Sequence, residues 1–414
     1  MAVPAVDKKV TTDGLTVVRN LPRNVWAVTI TSFLTDVSSE MIVHLLPFFL
    51  AGVLGAGMGV IGAIEGLADF TASILKVFSG WFSDKVGARK NLAVIGYAIS
   101  AISKPLFYIA SSWPVVLLIR VAERMGKGVR TAPRDALVAD SIAPEHRGLA
   151  FGLHRMGDTA GALLGVLIAA AILWGTQRGS LDISRSTFQT IVLWSLIPAA
   201  LSVIVLAFGA KEVPIKRKET PQLTLRGWDP RFYQFLVVIS IFTLANSSDA
   251  FLLLRANERG LSILQVMLMV ASFNFIYTLV AGPAGALSDK IGRRRLIVGG
   301  WLIYGVIYLG FGLAQTGWQT WVLYALYGIY YGMTEGVAKA LVADLVPTEK
   351  RGMAYGVYNT AVGAMALPAS LLAGFLWEKV SPQAPFIFGA LLACAAAFGL
   401  WRILAGMPAK VQQA

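Results

Sequence analysis

Residues 33–50 read FLTDVSSEMIVHLLPFFL and set Asp36, Glu40 and His44 four residues apart inside an apolar run. On a helix of 3.6 residues per turn each is rotated about 40° from the last, so the three make one polar stripe. A second segment repeats the device with Glu65, Asp69 and Lys76. A third, RVAERMGKGVRTAPRDALVAD (120–140), is basic: Arg120, Arg124, Lys127 and Arg134 share a face, with Glu123, Arg130 and Asp135 off its centre. His154, Arg155 and Asp158 follow it, and Lys104 stands on the segment before it. The rest of the chain is sparser, with Asn246, Asp249, Asn274, Glu335, Lys339, Asn359 and the tyrosines Tyr324, Tyr327, Tyr330 and Tyr331.

These residue types suit two kinds of chemistry. A guanidinium beside a carboxylate favours its charged form, and apolar burial favours the neutral form. A site that opens alternately to two sides shifts that balance, so a carboxylate there loads and releases a proton. Asp36 and Glu40 are the first candidates, with Glu65 and Asp69 beside them. Guanidinium groups also grip carboxylates and phosphates bidentately. His44, Arg120, Arg124, Lys127, His154, Arg155, Asp158, Asp249, Tyr327 and Asn359 are therefore the candidate solute-binding set, and an anionic or zwitterionic solute is expected. If the arginines are spent on carboxylates instead, a neutral or cationic solute follows. Structural ion pairs, snorkelling of Lys76 and Arg134, and tyrosines used only for packing are the competing readings. His44 and His154 are too scattered for a metal site.

The elements that carry these residues are apolar. The chain has 414 residues, 56% hydrophobic and 14% charged, with mean hydropathy +0.66; soluble domains carry about 25% charged residues. Apolar blocks of bilayer-spanning length fall at 25–53, 58–82, 91–112, 113–142, 147–174, 188–210, 232–254, 263–288, 294–315, 318–346, 352–378 and 384–406. A charged group at the centre of such a span costs roughly 2.5–3.5 kcal/mol, so each needs a partner, a wet cavity or a function. The first block is too long for a signal-peptide core and is read as a span. The single cysteine, Cys394, can form no intrachain disulfide.

Net charge is +13, but the basic residues sit in short loops, which argues for membrane topology and against nucleic acid. Lys8, Lys9, Arg19 and Arg23 precede the first span, and Lys85, Arg89 and Lys90 lie in 83–90. Six more occupy 211–231 and four occupy 289–295, whereas the loops near 51–58, 110–114 and 315–318 have none. Both termini and the central loop are expected in the cytoplasm.

The two halves repeat. GWFSDKVGARK (80–90) returns as GALSDKIGRRR (285–295), and ALVADSIAPEHRGLAFG (136–152) as ALVADLVPTEKRGMAYG (340–356). Two parallel six-span halves joined by a polar linker follow.

The doubled G-x-x-x-D-K-x-G-x-R-[KR] resembles the signature loop of the major facilitator superfamily. Gly80, Asp84, Lys85, Gly87, Arg89 and Lys90 match it, as do Gly285, Asp289, Lys290, Gly292, Arg294 and Arg295; Ala88 stands where a basic residue is common. The resemblance implies two bundles rocking about a central site, with Gly80, Asp84, Arg89, Gly285, Asp289 and Arg294 as a conformational latch. Glycines allow the turn, and the aspartate can cap a neighbouring helix N-terminus. Arg120 and Gly126 also match the fourth-span R-x-x-Q-G-x-G of proton-linked exporters, although Glu123 and Arg124 depart from it. GDTAGALLG (157–165) keeps the glycines of the fifth-span exporter motif but has Ala162 for its proline.

The expected fold is an all-α polytopic membrane protein, twelve transmembrane helices in two pseudo-symmetric six-helix bundles. Its expected parts are an N-terminal segment 1–24, bundles 25–210 and 232–406, a linker 211–231 and a tail 407–414. The expected activity is proton-coupled secondary transport of a small organic solute across the cell membrane, with efflux favoured. Uptake, or ligand sensing without transport, is the alternative. No enzyme activity and no cofactor are expected, and a monomer is the expected working unit.

Overall fold

The computed structural model describes residues 21–143, 146–213, 229–346, 351–403 and 405. Residues 1–20 of the N-terminal segment, most of the linker and the tail lie outside the described residues, as does the side chain of Asp289. Twelve long helices run through the described chain: α1 (Arg23–Val53), α2 (Met58–Val86), α3 (Arg89–Ile109), α4 (Trp113–Asp140), α5 (Arg147–Thr176) and α6 (Arg185–Gly209). The second set is α7 (Pro230–Glu258), α8 (Ile263–Ile291), α9 (Arg293–Leu313), α10 (Gly317–Leu345), α11 (Arg351–Lys379) and α12 (Ala384–Ile403).

Ten of the twelve are both long and apolar enough to cross a membrane. The other two, α4 and α10, are 28 and 29 residues long. α4 carries the basic stretch, and α10 carries the tyrosines with Glu335, Lys339 and Asp344. Trp174, Trp318 and Trp401 are exposed near helix ends, where amphipathic rings suit a membrane–water boundary.

Helix pairing repeats between the halves. α2 packs on α4, α3 on α4, and α1 on α5 and α6; six helices later α8 packs on α10, α9 on α10, and α7 on α11 and α12. The halves meet along α2 and α11, and along α5 and α8. Two faces can be named from this: a latch face, holding the α2–α3 and α8–α9 turns, and the opposite face.

The halves touch unequally at these two faces. A Cβ on Gly66 would stand 3.0 Å from the Leu367 Cα, and one on Gly62 would overlap the Ser370 carbonyl. The α2 and α11 backbones are therefore in contact toward the opposite face, where only glycine allows it. Hydrogen bonds cross there too: Gly59 N–H to Glu378 Oε2 at 3.0 Å, Asn257 Nδ2 to the Leu181 carbonyl at 2.9 Å, and Ile263 N–H to the Ser180 carbonyl at 3.0 Å. Near the latch face Gly152, Gly282 and Gly356 have nothing within 4 Å of such a Cβ. The halves are in backbone contact on the opposite face, and these three glycines have open space toward the latch face.

Two spans are interrupted. In α1 the regular helix stops at Val43, and a short turn from Leu46 leads into a π-helical turn, Phe49–Val53. Pro47 explains this, because it offers no N–H and its ring clashes with the carbonyl four residues back, that of Val43. In α7 the helix runs Pro230–Ala245, breaks, and resumes at Ala250–Glu258. The intervening Asn246, Ser247, Ser248 and Asp249 all compete with helical hydrogen bonding through their side chains. Side chains of other helices bond the backbone at the break: Ser248 N–H donates to Ser370 Oγ at 3.2 Å, and the Tyr304 hydroxyl donates to the Ala245 carbonyl at 2.9 Å.

Candidate functional site

A cavity of about 330 Å³ lies between the halves, against the sealed face. Its ionisable lining is Glu40 and His44 from α1, Glu65 and Asp69 from α2, Arg120 and Arg124 from α4, and Asp249 from the α7 break. The second half adds Tyr331 from α10 and Ser370 from α11. Six of the seven ionisable groups come from the first half, which matches the uneven distribution of charge along the sequence.

The charges are largely paired. Arg120, 4% exposed, donates from Nη2 to Glu65 at 2.9 Å and from Nη1 to Glu123 at 2.8 Å. Arg124 stands 3.5 Å from Asp69 and 3.9 Å from Glu123. Glu123, which the helical-face reading set off the centre of the basic stripe, is thus the carboxylate that the stripe closes around. His44 Nε2 lies 2.7 Å from Glu40 one turn back. Asp249 accepts a hydrogen bond from the Tyr327 hydroxyl at 3.1 Å. Among the described residues, no group of three or more His, Cys, Asp or Glu stands close enough to hold a metal ion.

The other sequence candidates fall outside this wall. Asp36 is half-buried on α1 and makes no hydrogen bond or ion pair among the described residues. Lys127 is exposed. His154 is buried between Ser32 Oγ, 3.2 Å from Nε2, and Asp158, 3.3 Å from Nδ1. Arg155 leaves its own half altogether: it bonds Glu335 at 2.9 Å and the Tyr277 hydroxyl, bridging α5 to α10 and α8. The expected basic wall on the fifth span is therefore absent from the cavity. Asn359 does not line it, and Tyr327, with Tyr324 and Tyr330, is buried in an aromatic stack that also holds Tyr304. Arg134, for which snorkelling was a competing reading, is bonded to Asp135 and to Ser32 Oγ.

The sequence model of the Major Facilitator Superfamily matches residues 28–254 and again residues 232–413. The chain belongs to the major facilitator superfamily. An uncharacterized MFS-type transporter of Methanocaldococcus jannaschii is 38% identical over 382 residues, covering 91% of this chain and 93% of the relative. The fosmidomycin resistance protein of Escherichia coli is 26% identical over 363 residues, 84% of each chain. A POT family transporter crystallised with 5-aminolevulinic acid superposes with a TM-score of 0.76 at 13% identity, over 91% of this chain and 95% of that one. The structural likeness supports the superfamily fold alone.

The superfamily's signature loop is also resolved in its first copy. Gly87 ends α2 with φ 72°, and Gly292 has φ 90° between α8 and α9; both are conformations that glycine adopts without strain. Arg89 Nη1 bonds Asp140 at the end of α4 at 2.7 Å, and its Nη2 lies 3.2 Å from Asp84. Asp84 does not cap a helix: the N-terminal N–H groups of α3, at Arg89 and Lys90, are taken by the Glu212 carboxylate at 2.8 and 3.1 Å. In the second copy Arg293, one position earlier in register, bonds Asp344 at 2.6 Å. Arg294 stands over the Trp401 ring at 5.4 Å. Gly80 approaches α4, where a Cβ would meet Ala132 at 3.2 Å, and Gly285 has open space. Asp140, Asp344 and Glu212 were missed as latch partners. The shared ALVAD ending was the available signal for the first two.

Proposed function

We propose that the chain is a proton-coupled exporter of a small organic solute, working by alternating access with the inter-bundle cavity as its binding site. The observation that carries this is the cavity itself, walled by ionisable groups of both halves and sealed on one face by the α2–α11 contact. A site formed by two bundles that touch unevenly at their ends is one that rocking of the bundles exposes to each side in turn. The resemblance to a resistance protein favours export over uptake. The basic loops on the latch face favour that face, with both termini, in the cytoplasm of a cell carrying the protein in its plasma membrane.

Asp36 and Glu40 are the proton carriers in this reading. Asp36 has no ion-pair partner among the described residues, and the partner of Glu40 is His44, one turn further along α1. Glu65 and Asp69 face guanidinium groups and hold α4 to α2 instead. The latch loops, with Asp84 and Arg89 in one half and Asp289 and Arg294 in the other, steady the latch-face ends of the helices as the bundles rock. The monomer suffices, because both walls come from one chain.

The test begins with a thermal-shift screen of solutes at two pH values, followed by counterflow and pH-driven flux in proteoliposomes. Asp36→Asn and Glu40→Gln are expected to abolish pH-driven flux while sparing counterflow. Unchanged pH-driven flux in both variants would remove them as carriers, and a solute that binds without counterflow would make the chain a ligand sensor.

A further inference from the structure

The sign of the solute follows from what each cavity charge is already bonded to. Both terminal nitrogens of Arg120 are occupied, by Glu123 and Glu65. Arg124 stands at ion-pair distance from Asp69 and Glu123, 3.5 and 3.9 Å, without a hydrogen bond to either. Gripping an anion on Arg120 would pull its guanidinium off a carboxylate, which strands a buried charge without its partner. His44 is likewise taken by Glu40.

Asp249 differs from the other lining carboxylates. It has no cationic partner among the described residues, and its only donor is the Tyr327 hydroxyl, on Oδ1. Its Oδ2 accepts nothing from the described residues and is reachable from the cavity. Glu40, Asp69 and His44 face it from the first half. The cavity thus offers four lining carboxylates, Glu40, Glu65, Asp69 and Asp249, against two guanidinium groups, with Glu123 behind them.

The surroundings of Asp249 fit an amine with an apolar body. The Tyr331 ring lines the same cavity and offers a negative π-face to a desolvated cation. Asn246, Ser247 and Ser248 of the α7 break supply acceptors beside Asp249 for further ammonium hydrogens, and Val43, Pro47, Leu253, Val362 and Ala366 complete an apolar wall. About 330 Å³ is at the small end of ligand cavities, which suits a compact amine.

We propose that the transported solute is a small organic cation and that Asp249 is the residue that selects it. The proposal rests on the cavity being the transport site.

The experiment uses full-length protein with two probes of similar shape and opposite charge, phenethylamine and its carboxylate counterpart 3-phenylpropionate, extended by the cations tetraethylammonium and ethidium. Calorimetry and thermal shift read binding, and counterflow reads transport. Amines are expected to bind and to stabilise, with the carboxylate giving neither effect. Asp249→Asn should weaken amine binding by at least about tenfold, as loss of one member of a desolvated charge pair does, with the melting temperature of the unliganded protein retained. Asp249→Glu should recover part of the affinity, which a merely structural role for Asp249 would not give. Binding of the carboxylate in place of the amines, unaltered amine affinity in Asp249→Asn, or no amine binding at millimolar concentration overturns the proposal. Asp249-dependent amine binding without counterflow would leave the recognition intact and overturn the transport reading instead.

Discussion

Gly62→Ala is the sharpest probe of how the halves move. A Cβ there would stand 3.0 Å from the Ser370 carbonyl carbon and 3.2 Å from Phe251 Cζ, and would overlap the Ser370 oxygen. Ser370 belongs to α11, so the methyl group drives α2 and α11 apart where they seal the cavity. Overpacking of this kind costs about 1–3 kcal/mol. The cost is confined to the arrangement in which the two backbones touch. The equilibrium between sealed and open forms of this face should therefore shift toward open by about fivefold to about 150-fold. With the single native cysteine, Cys394, replaced by alanine, spin labels at Ser111 and Val380 report the opposite face. Labels at Val86 and Lys290 report the latch face. Pulsed electron resonance should show the first distance lengthening and the second shortening. If both distributions stay fixed while the melting temperature falls, the contact is static packing and the rocking argument fails at this point.

Two other perturbations test neighbouring parts of the argument. Arg120→Ala leaves Glu65 and Glu123 buried without their shared cation, at a cost of about 3–5 kcal/mol, which thermal unfolding in detergent should show as a large drop in melting temperature; an unchanged value would mean that the pair is not truly desolvated. Glu335→Gln removes the one ion pair that joins the halves among the described residues, Arg155–Glu335, whose side chains are 54% and 33% exposed. A pair so exposed is worth about 0–1 kcal/mol, so the Val86–Lys290 distance distribution should broaden by a modest shift in population, with no loss of melting temperature. A wholesale change in that distribution would show that this bridge, and not the α2–α11 seal, sets the observed arrangement.

Much of this protein is written in its sequence. A bilayer has no water to satisfy the backbone, so apolar blocks of spanning length have to be helices, and the twelve expected spans agree with α1 to α12 to within a few residues at each end. The doubled G-x-x-x-D-K loop and the ALVAD repeat gave the two-half organisation, because a repeated fold unit needs the same turns at the same places. The stripes on α1, α2 and α4 also pointed to the cavity, since charge inside a membrane has to face other charge or water.

Tertiary structure decided which charge meets which. Helical spacing fixes how a side chain is turned about its own axis, but says nothing of how two helices are rotated and tilted against each other. Arginine adds a long flexible reach. Thus Glu123, off the basic face, became the acceptor that engages Arg120, and Arg155, counted with the cavity, crossed to Glu335. The breaks in α1 and α7 had local causes in Pro47 and in the Asn246–Asp249 run. Only the packed bundle brought those two breaks to the same cavity and left Asp249 there without a cationic partner among the described residues.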